Sequence, residues 1–488
     1  MFFFPRCQLG VVAVSFLATA IPTTRAFQIG SPLTKRAHPF ALASAVATPP
    51  STAAPDGMVY DCDENGNFIT VPLCNDEECR ASLDVRIHGN WYDLSGWRKA
   101  HPSGSHWIDM YDGRDATEVM DAFHTKRGRE MYSRLPKSDP KTVSMLSTTV
   151  PSDTDVQMAF RDLRAELESD GWWDRDLFVE AKLLAILGSL AVGAVLTAHD
   201  APALSIMLTS LTFTNAGWIG HDYIHGVDKF CEKMRMLSPT VCGISPTWWS
   251  DKHNKHHAHT NQMGVDDDIA AGPLLYTYAP DPSRDSPFRR FQHYTFFLPF
   301  SLLFALWRVR SFQTVIQSIE EKRPQAKEEL YSLLAHYFFV LTFLPTHVWV
   351  PAVFISGLMS AIIVTPTHQS DFFFNEKQED WVSAQFTSTR NAVLTNPVST
   401  WLWGGMQYQL EHHLFPSMPR AKYPELRPIL KQFASEHGLT YLESGEFEIL
   451  EMNWELYKEV AKADPVVGAP TMTFSSLEEK VSADLQSA

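Results

Sequence analysis

The stretch LFVEAKLLAILGSLAVGAVLTAHDAPALSIMLTSLTFTNAGWIGHDYIH, residues 177–225, decides how the chain is laid out. Leu177 to Ala198 is nearly all apolar, with charge only at Glu180 and Lys182 near its start, where long side chains reach a headgroup layer. His199-Asp200-Ala201-Pro202 reads as a tight turn, and Ala203 to Ile219 returns. Each arm is near the roughly 20 residues that a helical membrane span needs. Trp172 and Trp173, just ahead, suit a membrane interface. The pattern predicts a transmembrane hairpin whose end carries His221 and His225, one helical turn apart on one face.

Working outward, a second hairpin is expected from Leu330 to about Pro366, with Pro345 and Pro351 bracketing its turn and His368 at its far end. Between the hairpins, His293 to Trp307 is apolar but short and contains Pro299, so it is assigned to the interface and not to a crossing. Two hairpins place the segment from His221 to Arg323 and everything after His368 on the same membrane face as the N-terminal part. Basic residues such as Lys229, Lys233, Arg235, Arg289 and Arg290 load that face, as the positive-inside tendency describes.

Two further histidine clusters arrive there. Residues 248–261, WWSDKHNKHHAHTN, hold four of the 19 histidines within seven positions. On a helix His253, His256 and His257 stand at i, i+3 and i+4 and share a face. Residues 404–420, GGMQYQLEHHLFPSMPR, repeat that spacing with Gln409, His412 and His413. Together His221, His225, His253, His256, His257, His368, His412 and His413 make eight imidazoles, with Gln409 a weaker oxygen or nitrogen donor. A structural zinc takes four ligands and a catalytic zinc three plus water, so eight are too many for one ion and suit two. Nitrogen donors without thiolates leave iron, copper, zinc and nickel open. Asp222, Asn261, Asp266 and Asp268 neighbour the clusters and are candidates for orienting the imidazoles, with a solvated loop the competing reading for the last two. His259, His199, His293, His336 and His347 fall outside and are read as structural or interfacial.

Ahead of the hairpins, residues 91–136 read WYDLSGWRKAHPSGSHWIDMYDGRDATEVMDAFHTKRGREMYSRLP. A short strand at Trp91–Leu94, a turn at His101–Gly104 and a helix over 115–123 leave His101 and His124 as a pair that suits bis-histidine haem ligation, with two surface histidines the better reading on spacing alone. His88 and His106 are read as surface residues.

"YDLSGW", "HPSG" and "GRDATEVMDAFH" resemble the cytochrome b5 domain, and the resemblance implies that His101 and His124 hold the haem. Ser103 stands where that family has glycine. "HDYIH", "HNKHH" and "QLEHH" resemble the three histidine boxes of the membrane fatty-acid desaturases, and the Gln that opens the third box, with the fused haem domain, is similar to the front-end subgroup. The resemblance implies a di-iron centre on the box histidines, with His368 an additional ligand. It also implies haem b and O₂ as cofactors, a lipid acyl substrate, and cytochrome b5 reductase as electron source, or ferredoxin in a plastid. An unactivated methylene has no acidic proton, so a metal-bound oxidant must begin such a reaction. The acyl chain is expected to approach past Trp381, Gln385, Trp401, Trp403, Gly404 and Gly405. A hydroxylase on the same scaffold, a sphingolipid desaturase and a membrane-tethered electron carrier are the competing readings.

The expected fold class is a multi-domain chain: a small α+β cytochrome b5-like domain, then an all-α integral membrane desaturase domain with four transmembrane helices in two hairpins. The expected boundaries are a presequence over 1–55, a linker over 56–85, the haem domain over 86–136, a linker and amphipathic segment over 137–170, the membrane domain over 171–440 and a tail over 441–488. Met1 to Pro55 contains no Asp or Glu, has an apolar run at Leu9–Ala20 and is rich in Ser, Thr, Ala and Pro. It resembles the two-part presequences of algae with complex plastids, with an endoplasmic reticulum signal as the alternative. Asp61 to Asn67 looks like half a calcium loop, but Pro72 takes the place of the closing Glu, and it is read as a turn. The formal charge of -15 argues against nucleic acid as the main partner. The six cysteines include no metal-type C-x-x-C pair, and a Cys74–Cys79 bridge stays open.

Overall fold

The computed structural model describes residues 58–62, 68–72 and 82–470, without 102, 149, 271 and 371. The presequence, the Cys74–Cys79 pair and the middle of the Asp61–Asn67 loop lie outside the described residues. Two units divide at Arg80. In the first, β1 (Met58–Cys62) and β2 (Phe68–Pro72) form an antiparallel pair with Met58 opposite Pro72 and Cys62 opposite Phe68.

The second unit begins with a three-stranded sheet in the order β4-β3-β5, built from β3 (Asp84–Ile87), β4 (Asn90–Asp93) and β5 (Arg114–Asp115). His88 and Gly89 both take positive φ, which lets a two-residue turn follow the twist of β3 and β4. Val85, Ile87, Tyr92, Leu94, Ile108 and Tyr111 form its core. Helix α1 (Thr117–Phe123) starts where the Asp115 carboxylate accepts from the Thr117 amide and hydroxyl. Its far side is not solvated: Ala122 is packed with Phe160, Trp381, Leu410 and Phe415 in the next layer.

The rest is helical. In chain order the main elements are α2 (Asp155–Ser169), α3 (Leu177–Thr197), α4 (Pro202–His225), α5 (Pro246–Ala258), α6 (Phe297–Glu320), α7 (Ala326–Phe343), α8 (Thr346–Val364), α9 (Trp381–Ser388), α10 (Gln409–Leu414), α11 (Tyr423–Glu436) and α12 (Glu446–Lys462). A capping box between Thr154 and Gln157 starts α2. Helices α3 and α4 pack on each other, and α4 also packs on α8.

Helices stand at all four expected arms, but only α3 and α8 are long and apolar enough to cross a bilayer by themselves. The other two carry polar groups inward: Ser205, Thr209, Ser210 and Thr214 on α4, Glu329 and His336 on α7. That lowers their mean hydropathy. The second hairpin is also less simple than its sequence suggests, because α7 and α8 both pack on α6. The stretch 293–307, read as short, belongs largely to a helix of 24 residues, which is not among the helices long and apolar enough to cross a bilayer. Pro299 falls in the first turn, where its missing N–H costs nothing. The apolar run ends near Trp307 because α6 then turns Arg308, Ser311, Thr314 and Ser318 inward while Leu302, Leu306, Val309 and Ile316 face outward. The reading of 441–488 as a tail is corrected as well. Strand β7 (Glu443–Gly445) pairs in parallel with β6 (Asn391–Val393), and α12 buries Ile449, Asn453 and Tyr457.

Candidate metal centre

Four pieces of local structure aim the box histidines inward. Helix α4 ends at His225, so His221 and His225 form its last turn. Helix α5 begins at a Ser245 cap, and the Glu329 carboxylate from α7 accepts from the Ser245 and Thr247 hydroxyls at that end. A negative group at a helix N-terminus is favoured by the helix dipole. Helix α10 follows Gly404 and Gly405, both at positive φ. A side chain on Gly404 would meet the Trp218 ring at 2.3 Å, so glycine allows the third box to close against α4. His368 arrives after α8, and Asn261 donates to its carbonyl.

The ligand atoms of His221, His225, His253, His257 and His412 all lie within 4.8 Å of one another, and those of His256, His368 and His413 form a second such group. His221 Nε2 and His253 Nε2 are 2.8 Å apart, and His256 Nε2 and His368 Nε2 3.4 Å. None of the eight is more than 8% exposed. Burial pushes His253, His257, His368, His412 and His413 well below the ordinary imidazole range, which keeps them in the neutral form that binds metals.

Both nitrogens of His225 lack a hydrogen-bond partner, as do Nδ1 of His257 and His368, Nε2 of His412 and His413, and Oε1 of Gln409. An unsatisfied buried polar atom costs about 1–3 kcal/mol. So many at one place fit a site whose remaining partner is a cation. Two groups of imidazoles with no thiolate fit the two irons of the expected cofactor.

The neighbours sort differently from the sequence reading. Asp266 is fully buried and its carboxylate accepts from His256 Nδ1 at 2.8 Å, while Asp268 accepts from His253 Nδ1 at 3.0 Å and pairs with Lys252. Asp222 is corrected: its carboxylate meets Arg175 and the Arg420 amide, not an imidazole. Asn261 likewise holds backbone, donating to the carbonyls of His368, Phe372 and Ser388. His413 Nδ1 meets Gln385 Oε1 at 2.9 Å and the Thr260 hydroxyl at 3.2 Å, and His412 Nδ1 meets the Tyr423 hydroxyl at 3.3 Å. Thr260 and Tyr423 were missed, since a lone hydroxyl carries no spacing that marks it. Gln385 and Trp381 were read as lining an acyl path. Both donate to the His257 carbonyl, and Trp403 donates to Glu446. His259 falls outside both groups, bonded to Gln262, with burial pushing it down to about 3.

In the N-terminal module, the His101 and His124 ring centroids lie 6.1 Å apart with the rings tilted 55° to each other. Two metal–imidazole bonds of about 2 Å each, plus the reach from nitrogen to ring centre, fill that gap. His101 Nδ1 donates to the Gly104 carbonyl and His124 Nδ1 to the Met120 carbonyl, both at 3.0 Å. Each bond fixes the tautomer that leaves Nε2 as the free lone pair. Burial lowers both pKa values, which favours the same neutral form. Ser103 is exposed and leaves this arrangement intact.

Residues 197–445 match the family model "Fatty acid desaturase", about half of the chain, and residues 76–139 match "Cytochrome b5-like Heme/Steroid binding domain". The chain belongs to the fatty acid desaturase family. Similar proteins include a Delta(6)-fatty-acid desaturase of Caenorhabditis elegans, 29% identical over 78% of this chain and 97% of its own length. An acyl-lipid 8-desaturase of Rebecca salina is 28% identical over 76% and 90%, and a Delta(8)-fatty-acid desaturase of Euglena gracilis 29% over 74% and 91%. This desaturase is thus an oxidoreductase of a membrane-bound family with a fused cytochrome b5 domain, of the front-end type.

Proposed function

We propose that the chain inserts a cis double bond into a lipid-linked or CoA-linked acyl chain at a di-iron centre, using O₂. The observation that carries this is the set of eight buried histidines, gathered in two groups beside a haem-type histidine pair on a desaturase scaffold. His221, His225, His253, His257 and His412 would hold one iron and His256, His368 and His413 the other, with Gln409, buried and with its Oε1 unpaired, the weaker donor candidate. Iron so held supplies the oxygen-derived oxidant that an unactivated methylene requires. The chain's own residues do the remainder. Asp266, Asp268, Gln385, Thr260 and Tyr423 fix ring orientation, and the packed Trp381 and Phe415 layer keeps water from the imidazoles. His101 and His124 would hold haem b, and a haem so held would take up single electrons supplied by cytochrome b5 reductase, or by ferredoxin in a plastid.

The Delta(6), Delta(5) and Delta(8) names of the relatives support front-end insertion, between the carboxyl end and an existing double bond. Four helices, α3, α4, α7 and α8, are the proposed membrane spans, with α6 packed on α7 and α8 and apolar side chains such as Leu302 and Leu306 turned outward. A plastid membrane is the favoured location, on the acid-free N-terminal composition, and the endoplasmic reticulum the alternative.

Expression in yeast supplied with polyunsaturated acids tests the proposal through lipid analysis. One new alkene in the wild type, absent from His256→Ala, is the expected result. A hydroxylated product without an alkene, or an unchanged lipid profile, would overturn it.

A further inference from the structure

Phe123 sits between the two histidine sites. It is the residue directly before His124, and its ring packs on two box histidines from different elements, His225 at 6.2 Å and His257 at 5.8 Å between centroids. One peptide unit therefore separates a proposed haem ligand from a side chain in contact with two proposed iron ligands. The domain carrying Phe123 is not loosely placed. Ser417 donates to the Ala122 carbonyl at 3.2 Å and itself accepts from Trp173 Nε1. Glu118 accepts from Arg161 at 2.8 Å, Arg114 pairs with Glu379 at 3.2 Å, and the Lys377 ammonium lies 3.4 Å from the centre of the Tyr111 ring. Ala122 is 1% exposed. These ties seat the haem domain against α2, the segment ahead of α9 and the segment just after α10, the helix that carries the third box.

We infer that Phe123 is the positioning residue through which electrons pass from the haem site to the iron site, and that the haem domain delivers them from this docked position without swinging away. This rests on the proposed function. Each passage oxidises a ferrous haem on His101 and His124 to ferric and reduces the metal centre on His225 and His257 by one electron, with no bond made or broken. Two passages, each preceded by re-reduction of the haem by a flavoprotein or iron–sulfur reductant, supply one desaturation. The benzene ring is not itself oxidised. It fills with packed atoms a gap that would otherwise be crossed through space, where electron transfer falls off much faster with distance.

The test uses purified full-length protein with the haem reduced anaerobically, then mixed with oxygenated buffer and acyl lipid, following haem re-oxidation by stopped flow. Haem autoxidation in iron-stripped protein sets the baseline. Phe123→Ala should slow re-oxidation by about tenfold or more and Phe123→Leu by severalfold, while Phe123→Tyr, which keeps the ring, stays near wild type. Haem absorbance, haem midpoint potential and the rate of haem reduction by the reductase should not move. If Phe123→Ala loses haem or iron through misfolding, Phe123→Leu decides. Wild-type re-oxidation in Phe123→Leu with both metals bound would overturn the inference alone. Wild-type protein that binds no haem or no iron would instead overturn the functional reading beneath it.

Discussion

His101 and His124 are each oriented by a carbonyl from their own stretch of backbone, three and four residues away. The eight histidines from His221 to His413 are gathered from four segments and oriented, where they are, by side chains that come from elsewhere: Asp266 and Asp268 from the loop after α5, Gln385 from α9, Tyr423 from α11. One site is set by the backbone of its own module. The other exists only when α4, α5, α8 and α10 have packed. Loss of one site therefore need not disturb the other, and the iron site is the more sensitive to changes at a distance.

The largest expected effect is a clean separation. His257→Ala removes a buried imidazole from the centre of the larger group and should abolish desaturation and non-haem iron binding while leaving haem absorbance unchanged. His101→Ala should do the reverse, losing haem and keeping iron. Absorption spectra with metal analysis on the same preparations check both. Loss of both metals from either variant would break the comparison.

A smaller effect is expected at the carboxylate supports. Asp266→Ala leaves His256 without its hydrogen-bond partner, and removal of such a partner typically lowers metal affinity about 10–100-fold. Asp268→Ala should cost less, because Asp268 is only partly buried and also serves Lys252. Chelator competition measured by iron retention ranks the two, and equal retention by all three proteins would remove the carboxylates from the account. The smallest effect belongs to Tyr423→Phe, which deletes one hydroxyl at 3.3 Å from His412. A net hydrogen bond of about 0.5–1.5 kcal/mol predicts a two- to tenfold weakening in the same assay.

What could be read without coordinates follows the same division. The i, i+3, i+4 boxes were legible because their geometry is carried by helix periodicity, the arms at α3 and α8 because apolar length is a local property, and the haem pair through its resemblance to cytochrome b5 motifs and not through its spacing. Helix α6 was not, since its inward face is polar and its outward face apolar, which ends a hydropathy run while the helix goes on. Asp222 was misassigned and Tyr423 overlooked for a common reason: which side chain reaches which imidazole depends on packing between elements far apart in sequence. Asp266 and Asp268, by contrast, lie near enough to α5 to be suspected from adjacency.

The ratio of non-haem iron to haem in full-length protein purified from iron-supplemented cells tests the central claim most directly. Two non-haem irons for each haem are expected, falling in His412→Ala with the haem unchanged. A wild-type protein holding haem with no non-haem iron, or with zinc in its place, would contradict it.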